Sequence, residues 1–373
     1  MKTLLVLFVL LLGSSFTQNL VNPPETKRKI QIAILFDTSN SMDGLIDQAK
    51  TRIWSIVNTV STLAYNNQPP EMEIALYEYG NNGLSEKDGF VRQISAFTTD
   101  LDDISSKLFA LSTNGGNEFC GTVIQKSMNE LLWSQDPRDM KLIYIAGNEP
   151  FNQGTIDYKE TCKKAAEKGI YVSTIYCGSE GDGITNLWKD GAEIGKGKYL
   201  NIDSNKKIHY ISTPYDDSIK KLNEALNSTY VPYGDQGRYK KEAQVMQDSN
   251  AKSMAEENMV ERALSKSSGA YKNSGWDLID YVGDDLSKLK SISEKDLPKQ
   301  MQGKSLEENM KFLQMNKNKR NLIQNEIQEL AQKRTAYIQK NASNSQEEND
   351  DFGAAVSASI MNFAKEKNYQ KIK

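Results

Sequence analysis

The stretch "KIQIAILFDTSNSM", residues 29–42, decides the fold. From Ile30 to Phe36 it is almost continuously apolar, the pattern of a strand buried on both faces, as in a parallel sheet. The run stops at Asp37, after which Ser39 and Ser41 alternate with Thr38 and Asn40. A carboxylate at the end of a buried strand is costly unless it is paired or holds a metal. Open parallel sheets bind their ligands beyond the carboxyl ends of the strands. One carboxylate and two hydroxyls there form a hard-oxygen cluster suited to Mg²⁺, Mn²⁺ or Ca²⁺. The same spacing also fits a plain Asp–Ser turn capping a helix that starts near Gly44.

Outward from this stretch, strands and helices alternate to about residue 230. Ile46, Ala49, Ile53, Ile56, Val57, Val60 and Leu63 recur at helical spacing. "EMEIALYEYG" reads as a second strand, "FVRQISAF" as a short edge strand, and "MKLIYIAG" and "IYVSTIYCG" as flat, buried strands. "KIHYI", which holds His209, reads as a late strand. Helices are expected after Asp100, from Gly121, over "YKETCKKAAEKG" with Gly169 as its stop, and over "DDSIKKLNEALNSTY". The fold class is therefore α/β, a doubly wound, mainly parallel sheet with helices on both faces. "CGSEGDG", after the strand ending at Cys177, reads as an ordinary flexible loop, since it lacks the G-x-G-x-x-G spacing of a phosphate cradle.

The 373-residue chain divides into four segments. Residues 1–17 have Lys2, an apolar run from Leu4 to Leu12, and small residues from Gly13 to Thr17, the pattern of a secretory signal peptide. The run is well short of the ~20 residues a spanning helix needs, and no integral membrane segment is expected once it is removed. Residues 18–28 are a short flexible lead, residues 29–230 the α/β domain, and residues 231–373 a mostly α-helical C-terminal extension rich in Lys, Glu, Gln, Asn and Ser. Ser305 stands three residues before Glu308, a capping-box spacing. Leu306, Met310, Leu313, Leu322, Ile323, Ile327, Leu330 and Ile338 mark amphipathic helix, with a polar break at "NSQEENDD". Trp276 is expected to pack onto a neighbour. The net charge of −3 gives no basic footprint for nucleic acid. In an exported chain the three cysteines, Cys120, Cys162 and Cys177, allow one disulfide and one free thiol, or three buried thiols.

D-x-S-x-S at the end of the first strand resembles the metal-ion-dependent adhesion site of von Willebrand factor type A domains, over about residues 29–230. The resemblance implies a six-stranded Rossmann-like sheet. It also implies a protein ligand whose acidic group completes the metal's coordination, and no enzymatic activity. Asp37, Ser39 and Ser41 match the family's first loop. The second loop contributes a threonine after a Gly-Gly pair. Here "NGGNEFCGT" places Thr122 several residues beyond Gly115 and Gly116, with Glu118 nearer the expected place. The third loop carries an aspartate in the family, but in "YIAGNEP" that position falls on Gly147, leaving Asn148 or Glu149 to reach the site. The metal-site candidates are thus Asp37, Ser39, Ser41, Thr122, Glu118 and Glu149, with Asn148 and Gly116 as binding-loop candidates. "ALYEYG", "TNGGNEFCG" and "IAGNEPF" together resemble exported domains of this type in Gram-negative bacteria, which implies a periplasmic or secreted location.

Three functions fit these residues. The first is a metal-dependent protein-binding module. The second is a scaffold with a degenerate metal site that binds partners through its helical tail. The third is an exported metal-dependent hydrolase using Asp37 and Glu149, disfavoured because the chain has a single histidine and neither G-x-S-x-G nor H-E-x-x-H.

Overall fold

The computed structural model describes residues 27–203, 210–342 and 352–371. Its centre is a six-stranded sheet in the order β4-β3-β1-β5-β6-β7. The strands are β1 (Lys29–Asp37), β3 (Glu71–Tyr79), β4 (Val91–Thr98), β5 (Met140–Gly147), β6 (Tyr171–Cys177) and β7 (Lys196–Ile202). Five run parallel, and the edge strand β4 pairs antiparallel with β3. A two-stranded ribbon pairs β2 (Leu63–Ala64) with β8 (Gln370–Lys371). The chain moves from β1 toward β3 on one side and from β5 toward β7 on the other. The point where direction reverses therefore lies between β1 and β5, which is where an open α/β sheet leaves a crevice.

Alternation along β1 divides the core. Ile30, Ile32, Ile34 and Phe36 belong to one buried cluster, Ala33 and Leu35 to the other. The first cluster takes in α1 (Asp43–Ser61) and α2 (Leu101–Phe109). The second takes in α3 (Cys120–Glu130), α4 (Tyr158–Glu167) and α6 (Trp188–Ile194), which follows the short α5 (Glu180–Thr185). Asp100 caps α2, its carboxylate accepting from the Asp103 amide. Gly169, with φ +68°, stands just past α4 as its spacing predicts.

The tail does not stand apart. Beyond α7 (Asp216–Asn227) come α8 (Gly237–Met254), α9 (Glu256–Ser267), α10 (Leu278–Val282), α11 (Leu306–Ala342) and α12 (Phe352–Glu366). α12 returns to the sheet and packs against α1, β5 and β7. Its Val356, Ile360, Phe363 and Ala364 are buried in the same cluster as β1. Phe363 stacks on Tyr171 with ring centroids 5.2 Å apart, and the Tyr144 hydroxyl donates to Ser359 Oγ at 3.0 Å. The Tyr369 hydroxyl donates to the carbonyl of Lys29 at 3.1 Å.

α9 lies on α1 and carries a buried ionic cluster. The Arg262 guanidinium pairs with Asp102 of α2 at 2.8 Å and with Asp248 of α8, and sits 4.5 Å over the Trp54 ring. Lys266 reaches Asp248 at 3.0 Å. Two further arginines fasten α11: Arg320 to Asp277 at 2.7 Å, and Arg334 to Asp216 at 3.1 Å and Glu261 at 2.8 Å. The Ser305–Glu308 capping box forms, each residue's amide donating to the other's side chain. Trp276 is buried and stacks on Tyr230.

Several sequence expectations are corrected. The sixth strand is β7, whose edge position tolerates a glycine and polar residues; His209 lies outside the described residues. "CGSEGDG" is not a plain loop: Ser179 Oγ accepts from the Asp182 amide and starts α5. Leu322 does not share the apolar stripe of α11 but is exposed, while Ile323 and Ile327 face inward. All three cysteines are buried free thiols, so no disulfide forms among them. Residues 1–17 and the break at 344–351 lie outside the described residues, and no described helix is long and apolar enough to cross a membrane.

Candidate functional site

Asp37 ends β1 in register with Tyr79 of β3, and β5 ends beside it at Gly147. The side chain is fully buried. Its Oδ1 accepts from the Ser39 amide at 2.7 Å, which fixes the turn, whereas its Oδ2 is buried with no hydrogen-bond partner. Ser39 Oγ and Ser41 Oγ stand 3.1 Å apart. The Ser41 hydroxyl donates to the Asn148 amide oxygen at 3.3 Å, joining the first loop to the third.

The second loop closes on the first through its backbone. The Asn114 amide donates to the Thr38 carbonyl at 2.9 Å, and the Asn82 amide to the Gly115 carbonyl at 2.9 Å. Gly116 has no room for a side chain, since a Cβ would lie 2.4 Å from the Gly80 carbonyl oxygen. Glu118, 4 % exposed, presents its carboxyl to Asp37 and Ser39. Burial pushes the Glu118 carboxyl up, and the facing Asp37 raises it further. Burial also raises Asp37, against the opposing hydrogen bonds from Glu118 and Ser39. The two acids therefore hold a proton between them when no cation is present.

Gly80 makes this approach possible. Its φ is +76°, and a Cβ there would lie 2.6 Å from Asp37 Oδ1 and 2.8 Å from Glu118 Cγ. Gly80→Ala is expected to cost about 1–3 kcal/mol of stability from the backbone conformation alone, and to push the two acids apart. Urea denaturation with calorimetric cation titration checks both effects.

The remaining candidates separate. Asn148 reaches the site through Ser41, whereas Glu149 is exposed, its carboxylate accepting from Gln153 at 3.4 Å. Thr122 is not brought to Asp37: it lies in the first turn of α3 with its γ-methyl toward Gly89, and Glu118 takes the place beside the aspartate. Gly147 has no vacant ground for a third-loop acid. A Cβ there would meet the Tyr79 hydroxyl at 2.6 Å, the Trp188 ring at 3.0 Å and Asp37 Oδ2 at 3.1 Å. Tyr79 is held by donation to the Ala146 carbonyl at 3.0 Å, and Trp188 by donation from its indole to the Glu149 carbonyl at 2.7 Å. Neither Tyr79 nor Trp188 was a candidate from sequence. Nothing local in "EYG" or "NLWKD" signals that the two side chains meet at Gly147.

The donor set is oxygen throughout, so it fits a hard divalent cation rather than a thiolate or imidazole metal. The buried, unpartnered Asp37 Oδ2 and the convergent seryl hydroxyls support that fit. No cluster of three His, Cys, Asp or Glu side chains suited to a metal occurs among the described residues. The hydroxyls would therefore have to share the coordination.

Comparison with known proteins agrees with this architecture. Residues 31–214 match the profile of the von Willebrand factor type A domain. No curated protein matches the chain. Among solved structures, the conserved hypothetical protein BatB from Bacteroides thetaiotaomicron is similar at 19 % identity and TM-score 0.35, over 47 % of this chain and 90 % of that one. The SpRpn10 VWA domain is similar at 17 % identity and TM-score 0.36, over 46 % of this chain and 87 % of that one. An aerotolerance-related membrane protein from Bacteroides fragilis is similar at 14 % identity and TM-score 0.33, over 47 % and 93 %. Domains of this family are protein-interaction modules, generally without catalysis. With the sheet order and the loop at Asp37 as described, residues 31–214 of this chain are a von Willebrand factor type A domain.

Proposed function

We propose that the chain is an exported, non-catalytic binding protein. A divalent cation at Asp37, Ser39 and Ser41 receives a carboxylate from a protein partner. The observation that carries this reading is Asp37 Oδ2, a buried carboxylate oxygen without a hydrogen-bond partner, in a turn whose two seryl hydroxyls stand 3.1 Å apart. Left alone, such an oxygen bears its full desolvation cost; a bound cation removes it. Export rests on the pattern of residues 1–17. The cation's part is to supply positive charge at the sheet edge. The chain's part is to hold the oxygens in place, through the Ser39 amide and the Ser41–Asn148 contact.

Calorimetric titration of chelator-stripped protein with Mg²⁺, Mn²⁺ and Ca²⁺ tests the reading. Saturable binding is expected, and Asp37→Ala is expected to abolish it; equal binding by the variant sinks the assignment. Cation-dependent capture of an acidic protein partner should be lost in the same variant. Affinity should rise with pH, because the ion displaces the proton held by Asp37 and Glu118.

The linked stability effect has a definite sign. Both carboxyls are raised in the fold, so the folded state binds more protons than the unfolded one above the ordinary carboxylate range. Their contribution in the metal-free protein is greatest at low pH and is lost as pH rises through the folded values. Thermal melts between pH 5 and 8 should show this loss, and saturating Mg²⁺ should reverse it.

A second reading, metal-independent binding through the helical tail, is favoured by one observation. Tyr239, Val245 and Met246 are large apolar residues exposed on α8. Partner capture that survives Asp37→Ala but fails in Met246→Glu would select it.

A further inference from the structure

The third loop and the second loop differ in a way the adhesion-type reading alone does not explain. β5 ends in Gly147 directly beside Asp37, yet no side chain can be added there without meeting Tyr79 Oη at 2.6 Å and the Trp188 ring at 3.0 Å. Both obstacles are fixed. Trp188 is fully buried between Phe151 and Tyr176, with ring centroids 4.9 and 5.8 Å away. Tyr79 is fully buried, its hydroxyl bonded to the Ala146 carbonyl and taking a contact from Cys120 Sγ at 3.8 Å. Beyond Gly147 the loop offers a neutral amide, Asn148, and a carboxylate, Glu149, turned outward to Gln153.

On the opposite side of Asp37 the situation is reversed. Glu118 is buried, and its γ-carbon lies against Gly80, whose missing side chain admits it. Its amide donates to Gln153 Oε1 at 3.4 Å. Two facing buried acids cannot both stay ionised unless a cation lies between them; otherwise they share a proton, which a bound cation would displace. Asp37 turns Oδ1 toward Gly80 and Glu118, while its unpartnered Oδ2 lies on the Gly147 side.

We infer that Glu118 is a direct cation ligand and the second acid of the site, and that the Tyr79–Trp188 wall excludes an acid from the third loop. Fixed ligands then come from the first and second loops only. The third loop contributes Asn148 as a neutral contact to Ser41. This rests on the reading of Asp37 as a cation ligand and goes beyond it by assigning the second charge. It makes Gly80 and Gly147 complementary: one glycine makes room for an acid, the other makes room for a wall.

Mn²⁺ binding followed by electron paramagnetic resonance, with Mg²⁺ calorimetry beside it, tests the inference on chelator-stripped protein. Four variants are compared: Asp37→Ala, Glu118→Gln, Thr122→Ala and Gly147→Asp. Glu118→Gln keeps side-chain size and is expected to weaken Mn²⁺ binding at least about tenfold. Thr122→Ala should bind as the unaltered protein does. Gly147→Asp should not bind more tightly, and should melt at lower temperature, because the wall must move. If Glu118→Gln fails to fold, Glu118→Asp is read in its place, and clearly weaker binding is expected. Glu118 variants that bind as tightly as the unaltered protein overturn the inference while leaving Asp37 in place. Tighter binding by a folded Gly147→Asp overturns the wall. No binding by the unaltered protein overturns both the inference and the reading it rests on.

Discussion

Removing residues 343–373 is expected to abolish cooperative folding of the α/β domain, although the whole of its sheet remains in the truncated chain. The cause is α12, which covers one face at β5 and β7. Truncation exposes the groove that buried Val356, Ile360 and Phe363. Burial of each such side chain contributes about 1.5–3 kcal/mol, so the loss is on the order of 5–9 kcal/mol, within the ~5–15 kcal/mol that a folded domain possesses in total. The Tyr144 hydroxyl would also lose its hydrogen bond to Ser359. Circular dichroism melts and limited proteolysis decide the matter. A cooperative melt within a few degrees of the full chain would show that α12 is dispensable. Phe363→Ala is the milder form, with an expected cost of about 3–5 kcal/mol.

Arg262→Ala is expected to cost about 3–5 kcal/mol, because it strands two buried carboxylates, Asp102 and Asp248, at the junction of α2, α8 and α9. Burial pushes the Asp248 carboxyl up, but Arg262 and Lys266 outweigh it and hold the group below the usual carboxylate range. A carboxylate depressed in the fold adds stability above its unfolded pKa, and that stability is lost as pH falls through the folded value. In Arg262→Ala much of this acid-side slope should disappear. Denaturant melts at pH 3, 5 and 7 measure it. Adding Asp102→Asn and Asp248→Asn to Arg262→Ala should recover part of the loss, since the cost lies in uncompensated charge rather than in missing contacts. Failure to recover would place the cost in packing of Arg262 over Trp54 instead.

Both effects sit in parts of the molecule that local sequence does not disclose. β1, β3, β5 and β6 were readable because strands buried on both faces are apolar throughout, and "KIQIAILF" and "MKLIYIAG" leave little else. β7 was not, because "KGKYLNI" is half-buried at a sheet edge and carries no apolar run. In the tail, spacing made α11 legible as a helix, while α8, α9, α10 and α12 were covered only by the expectation of a mostly helical extension. That α12 would return to the sheet was not legible, since its apolar face fits any partner equally well. The site divides along the same line. Asp37, Ser39 and Ser41 lie within five residues of one turn, so their convergence follows from the end of one strand. Glu118 needs Gly80, just past the end of β3, to reach Asp37, and the closure at Gly147 needs Tyr79 of β3 and Trp188 of α6. Spacing carries no information about such meetings. Thr122, the nearest threonine but several residues beyond the Gly-Gly pair, lies in the first turn of α3 with its γ-methyl toward Gly89.

The hydrogen bond from Tyr369 to Lys29 sets how the molecule can be mounted. Lys29 begins β1 and Asp37 ends it, so the Tyr369 contact and the Asp37 loop are separated by the length of the strand, about 26 Å. The descending chain after α12 and the rising chain into β1 thus share one pole, and the oxygen cluster occupies the other. A tether attached beside Lys29 or beside Tyr369, whether to a bead, a sensor chip or a fused protein, would present the Asp37 loops outward from its support.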